Sequence, residues 1–219
     1  MGFVLSAAFA AVEGWSLHEL CWGLWLAGLV SSWALLVAGA TRIALAPRAA
    51  LPSRLLDQPW FAALPPWVWR GLAPSLAIVV GVAFYHFYAS LFGFYGIFLS
   101  VFAEMEPHAY FGRNGFINSD FSTPVVYLLE RLWPVAAGAV ITDLPLALTG
   151  NPWRAVRLPF SVQLLPIHLL VIGLPFMTLL LWWAVGADYQ TPAVILVLAL
   201  FHFMPRPVPA EPRRPAVGD

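Results

Sequence analysis

Between Leu72 and Ala103 the chain runs for 32 residues without one formally charged side chain. A helix this apolar has no face to offer to water and belongs in lipid or under other helices. At 1.5 Å per residue it would be about 48 Å long, against a bilayer hydrocarbon core of about 30 Å. The segment is therefore strongly tilted, projects from the bilayer, or breaks, with Gly93 and Gly96 as the natural break points.

The rest of the chain agrees. Apolar residues make up 61% and charged residues 10%, with a mean hydropathy of +0.79. Soluble domains are about 45–50% apolar and about 25% charged. A soluble globular domain and a disordered chain are excluded on that ground. The single cysteine, Cys21, excludes a disulfide scaffold. A net charge of zero, from 11 basic and 11 acidic residues, excludes an electrostatically driven nucleic-acid binder. The fold class is all-α, a polytopic helical membrane protein whose first partners are membrane lipids.

Five segments are apolar and long enough to act as spans: Leu17–Ala40, Leu72–Ala103, Val125–Leu148, Phe160–Trp183 and the shorter Thr191–Met204. Residues 3–12 are too few to cross, and would form an interfacial or re-entrant piece or extend the first span backwards. Six spans is the alternative count. Residues 1–204 then form one transmembrane domain. The Pro/Arg-rich residues 205–219 form an extended or disordered tail. The start of the chain has no positive region of the secretory kind, and its Met-Gly-x-x-x-Ser pattern is common by chance.

Charge distributes by side. Residues 41–71 carry Arg42, Arg48, Arg54 and Arg70 against Asp57; residues 149–159 carry Arg154 and Arg157; the tail carries Arg206, Arg213 and Arg214. The other side carries Glu13, Glu19, Glu104, Glu106, Asp120 and Asp188 against Arg113. The positive-inside rule puts the Arg-rich loops and the C-terminus in the cytoplasm and the N-terminus outside, in a bacterial inner membrane. Residues 41–71, with five prolines and three tryptophans, read as a cytoplasmic interfacial segment. Residues 106–124 read as an outer loop.

Ionisable groups at membrane depth are costly, so each is a functional candidate. The outer-face set is His18, Glu19, Glu104, Glu106, His108 and Asp120. These six could do acid–base work, and His18, Glu19, Glu104 and His108 could hold a divalent metal. The competing reading is a solvated acidic rim. His86 and His168 form a second set. Two imidazoles on two helices can ligate a haem iron axially, although His86 would lie about 21 Å and His168 about 12 Å from the cytoplasmic ends of their spans. The competing reading is hydrogen bonding to a neighbouring helix. The third set is Glu130, Arg131 and Asp143. Neighbours on a helix point in different directions, so Glu130 and Arg131 need not pair with each other, and an ion pair to another helix is the simpler arrangement. The aromatic run FYHFYASLFGFYGIF would line a hydrophobic pocket or pack against lipid and helices. Motifs for nucleotide or serine hydrolysis do not occur, and no internal repeat of the transporter kind is visible.

Three stretches, GWSLHELCWGLW, YASLFGFYGIF and NPWRAVRLPFSVQLLPIHLLVIG, together resemble an uncharacterised bacterial multi-span membrane family, a domain of unknown function. That resemblance implies architecture and no activity. The chain departs from the family pattern at Ala27 and Gly28, where a second carboxylate is expected, and at His86, which is out of step with the small-residue motif. The functional expectation is a small accessory or structural subunit that packs with other membrane subunits or with itself and binds lipid or a hydrophobic cofactor. The alternatives are an enzyme or carrier using the outer carboxylate–His set, and a b-type haem protein.

Overall fold

The computed structural model describes residues 12–46 and 64–149 without interruption, residues 8, 58 and 59, and separate positions between 152 and 199. Among the described residues every regular element is helical. The long helices are α1 (Leu17–Leu45), α2 (Pro66–Phe102) and α5 (Ser122–Leu148), with two single-turn helices, α3 (His108–Phe111) and α4 (Gly115–Asn118), between the last two. All three long helices are long and apolar enough to cross a membrane.

The start of α1 is set by a capping box. Ser16 Oγ accepts from the Glu19 backbone N–H at 3.2 Å, and Glu19 Oε2 accepts from the Ser16 N–H at 2.8 Å. Two orphan donors of the first turn are satisfied in this way, and the acidic side chain sits at the positive end of the helix dipole. This Ser-x-x-Glu signature stood in the sequence at the expected edge of the first span.

Helix α1 is the centre of the bundle. Its most apolar stretch is 78% buried, against 17% for α2. It runs antiparallel to α2: Trp22 near its start meets Ala103, Trp25 meets Phe92, and Trp33 stacks on Tyr85. It runs parallel to α5, meeting it in turn through Glu19 with Arg131, Ser31 with Asp143 and Arg42 with Ala147. One end of the bundle therefore carries the start of α1, the end of α2, α3, α4 and the start of α5. Arg42 and Arg70 lie at the opposite end, near the close of α1 and the opening of α2.

Of the three ways to accommodate the long apolar segment, the break is not the one taken. The long apolar segment does not break at Gly93 or Gly96; α2 continues through both for 37 residues, about 55 Å. Both glycines face rings instead: the Phe121 ring lies 3.9 Å from where a Gly93 Cβ would stand, and a Gly96 Cβ would overlap Phe116. They are contact points for the outer loop. The break falls in α5, where Leu132 leaves helical geometry at φ −117° and ψ 18°. Pro134, two residues on, has no N–H for the helical ladder, and its ring crowds the preceding turn.

The flanks also shift. Residues 41–45 continue α1 and residues 66–71 begin α2, so only the middle of the 41–71 segment is left for an interfacial piece, and most of it falls outside the described residues. The 106–124 loop is partly helical, through α3, α4 and the first turn of α5. Residues 205–219 and most of residues 3–12, 160–183 and 191–204 also lie outside the described residues.

Candidate functional site

The end of the bundle that carries α3 and α4 gathers all six outer-face candidates, but it binds them one by one to local partners. His18 Nδ1 is 2.9 Å from the Glu104 backbone oxygen, linking the first turn of α1 to the end of α2. Glu19 caps α1 through Oε2, and its Oε1 forms an ion pair with Arg131 of α5. Glu104 Oε1 accepts from the Arg113 backbone N–H at 3.0 Å. Glu106 and His108 pair at 2.9 Å. Asp120 caps α5: its Oδ1 accepts from the Thr123 N–H at 2.7 Å and the Ser122 hydroxyl at 2.8 Å, and its Oδ2 accepts from the Thr123 hydroxyl at 3.1 Å.

Two electrostatic consequences follow in this exposed loop. The hydrogen bond from His108 holds the Glu106 carboxyl below the usual carboxylate range, and Glu106 in turn raises the His108 imidazole above its ordinary value. Donors at Thr123 and Ser122 lower the Asp120 carboxyl.

The proposed metal set of His18, Glu19, Glu104 and His108 is not assembled. Among the described residues no three His, Cys, Asp or Glu side chains form a group that could hold an ion. The reason is local: Glu19 turns towards its own helix start and Arg131, and Glu104 turns towards the α3–α4 turn. Gly112 permits that turn, since a Cβ there would stand 2.6 Å from the His108 oxygen and 3.2 Å from Glu104 Oε1.

The haem pair is also separated. His168 Nδ1 is hydrogen-bonded to the Tyr95 hydroxyl at 2.8 Å. Tyr95 lies nine positions beyond His86 on α2, about 14 Å along the axis and half a turn round in phase. His86 is exposed beside Tyr85, on the other face. The two imidazoles do not face one space. His168 instead has the neighbouring-helix hydrogen bond that was the competing expectation.

Glu130 and Arg131 diverge, as adjacent helical residues must. Arg131 reaches Glu19, and Asp143 is fully buried where the Ser31 hydroxyl donates to its Oδ2 at 2.8 Å. Glu130 faces elsewhere, into a cleft of about 330 Å³ lined by Tyr110, Ser122, Thr123, Val126, Tyr127 and Glu130. Ser122, Val126 and Glu130 repeat at intervals of four on α5, with Thr123 and Tyr127 beside them, so one helix face forms the floor. Tyr110 of α3 closes the side, its ring centroid 6.2 Å from that of Tyr127. Sequence reasoning singled out Glu130 and missed the other five. The four-residue spacing was visible, but nothing in the sequence brought Tyr110 to that face.

The class that this fold defines, among the described residues, is an all-helical protein with three helices long and apolar enough to cross a membrane, consistent with a helical membrane protein. No known protein family, curated protein or solved structure matches the chain.

Proposed function

We propose that this chain is a multi-pass integral protein of a bacterial inner membrane that acts as an accessory subunit, packing with other membrane subunits or with a second copy. The observation that carries the reading is the outward face of α2. Ile78, Val79, Val82, Phe87, Phe94 and Phe98 are exposed along it with no charge among them. In water such a face would be an aggregation hazard; in a bilayer it is a surface for lipid or for another helix. The outer-face set supports the same reading, because His18 and Glu19 join helices and the side chains of Glu104, Glu106, His108 and Asp120 are bonded within their own loop or helix start. Residues 160–183 and 191–204 supply the fourth and fifth spans, and the Arg-rich ends face the cytoplasm.

Three measurements test this. After alkaline washing the protein should stay with the membrane, and a cysteine placed at Asn114 should react with an impermeant reagent from outside, while one at Ala46 should not. Mild-detergent extraction followed by native mass spectrometry should then give a complex larger than one chain, or a chain with bound lipid. A bare monomer would reject the accessory-subunit reading.

A further inference from the structure

We propose that the cleft at the start of α5 is a binding site for an organic ammonium group, either a free amine or quaternary amine or the ammonium of a lipid headgroup. This rests on the membrane placement above only in setting the cleft at headgroup level.

The cleft offers acceptors and aromatic faces, and among the described residues no cationic side chain lines it. Glu130 is exposed to the cleft and, among the described residues, makes no ion pair or hydrogen bond. Its neighbour Arg131 is held by Glu19 on a different face of the helix. The hydroxyl hydrogens of Ser122 and Thr123 are both donated to Asp120. Their oxygens therefore present lone pairs, so the Tyr110 and Tyr127 hydroxyls are the donors left in the described lining. An anion would meet the Glu130 carboxylate there.

The walls narrow the class further. Tyr110 and Tyr127 stand across one corner with their rings tilted at 59° to each other, and an ammonium within about 6 Å of such a ring centroid is attracted by its quadrupole. A divalent metal would need several oxygen or nitrogen ligands on one ion, and among the described residues Glu130 is the only carboxylate in the lining. One carboxylate with two tyrosines fits a diffuse single positive charge. The volume is at the small end for ligand pockets, which suits a headgroup better than a large cofactor. The position two turns into a spanning helix gives an unpaired carboxylate a reason to be there.

The test uses the full chain in detergent and in nanodiscs. Tetramethylammonium should bind to the detergent-solubilised protein, while its neutral isostere, neopentane, should not. Nanodiscs containing phosphatidylethanolamine should retain that lipid on the protein in preference to phosphatidylglycerol. Binding of both probes indicates a site open to free amines, and lipid retention alone indicates a headgroup site; either supports the proposal. Glu130→Gln should weaken binding about tenfold, Tyr127→Leu should weaken it by a similar factor, and Tyr127→Phe should keep most of it. Equal binding by wild type and Glu130→Gln, or equal binding of the cation and its neutral isostere, would overturn the site. Should a variant fail to fold, the isostere comparison on the unaltered protein still decides. Failure of the alkaline-wash experiment would remove the membrane reading and leave the tetramethylammonium arm standing.

Discussion

Trp25 donates its indole N–H to the backbone oxygen of Phe92 at 2.8 Å, 67 residues away, with both side chains fully buried. Three residues earlier on α1, Trp22 does the same to Ala103, just past the end of α2, also at 2.8 Å. Two large aromatic side chains thus join α1 to α2 by apolar contact and by a directed bond. Trp22 and Trp25 also meet each other edge to face at 5.6 Å and both touch the Phe116 ring. Replacing Trp25 by Phe keeps most of the ring and removes the donor, and should cost about 1 kcal/mol. Trp25→Ala also opens a cavity and should cost about 3–5 kcal/mol. Thermal unfolding in detergent would separate the two values; equal losses would mean that the indole bond contributes nothing of its own.

Gly96 lets the outer loop seat itself. In an exposed helix interior, Gly→Ala gains about 1 kcal/mol of helix propensity. Here the added methyl would overlap the Phe116 ring, so Gly96→Ala should destabilise the protein. Phe116→Leu should recover part of the loss in the double variant. A melting-temperature cycle over the four proteins measures that coupling, and simple additivity would contradict the packing described.

Glu19 and Arg131 join α1 to α5 at a half-exposed position, with side-chain exposures of 15% and 53%. Arg131→Glu sets two carboxylates against each other, and should lower stability by about 1 kcal/mol. Glu19→Arg should cost more, because the capping box is lost with the ion pair. The exchanged pair Glu19→Arg with Arg131→Glu should regain the ionic part only. High salt should reduce the effect of Arg131→Glu.

The Glu106–His108 pair should respond to pH from both sides. The His108 value is raised above 6.5, so its contribution is complete below that pH and fades as pH rises through the raised value. The Glu106 value is lowered from 4.5, so its contribution is complete above that pH and fades as pH falls through the lowered value. The link between them is fully formed between those two ordinary values. The His108 titration followed by NMR should have its midpoint above 6.5 in the wild type and return towards it in Glu106→Gln. An unchanged midpoint would show that the pair does not persist in solution.

The length, apolarity and charge-free run of Leu72–Ala103 were enough to make this chain a set of membrane-length helices, because a backbone in lipid must satisfy its own hydrogen bonds and a helix does so locally. The starts and stops of α1 and α5 were close to legible for the same reason: capping residues and hydropathy act over a few positions. That the six outer-face residues share one end also follows from sequence, since antiparallel helices joined by short loops return to the same side. What they do there does not follow. The sequence placed His18, Glu19, Glu104 and His108 within reach of a common ion, and the fold turned each towards a different local partner. It placed His86 and His168 on two helices, and the phase of α2 put Tyr95 opposite His168 instead. The direction of a side chain round a helix depends on which neighbours it meets, and those contacts, such as Trp25 with Phe92 or Tyr110 with Tyr127, join positions whose separation along the chain carries no local signal. The Glu130 cleft was decided at that level: one helix face was written in the spacing, and only the packing of α3 against α5 closed it with a second aromatic ring.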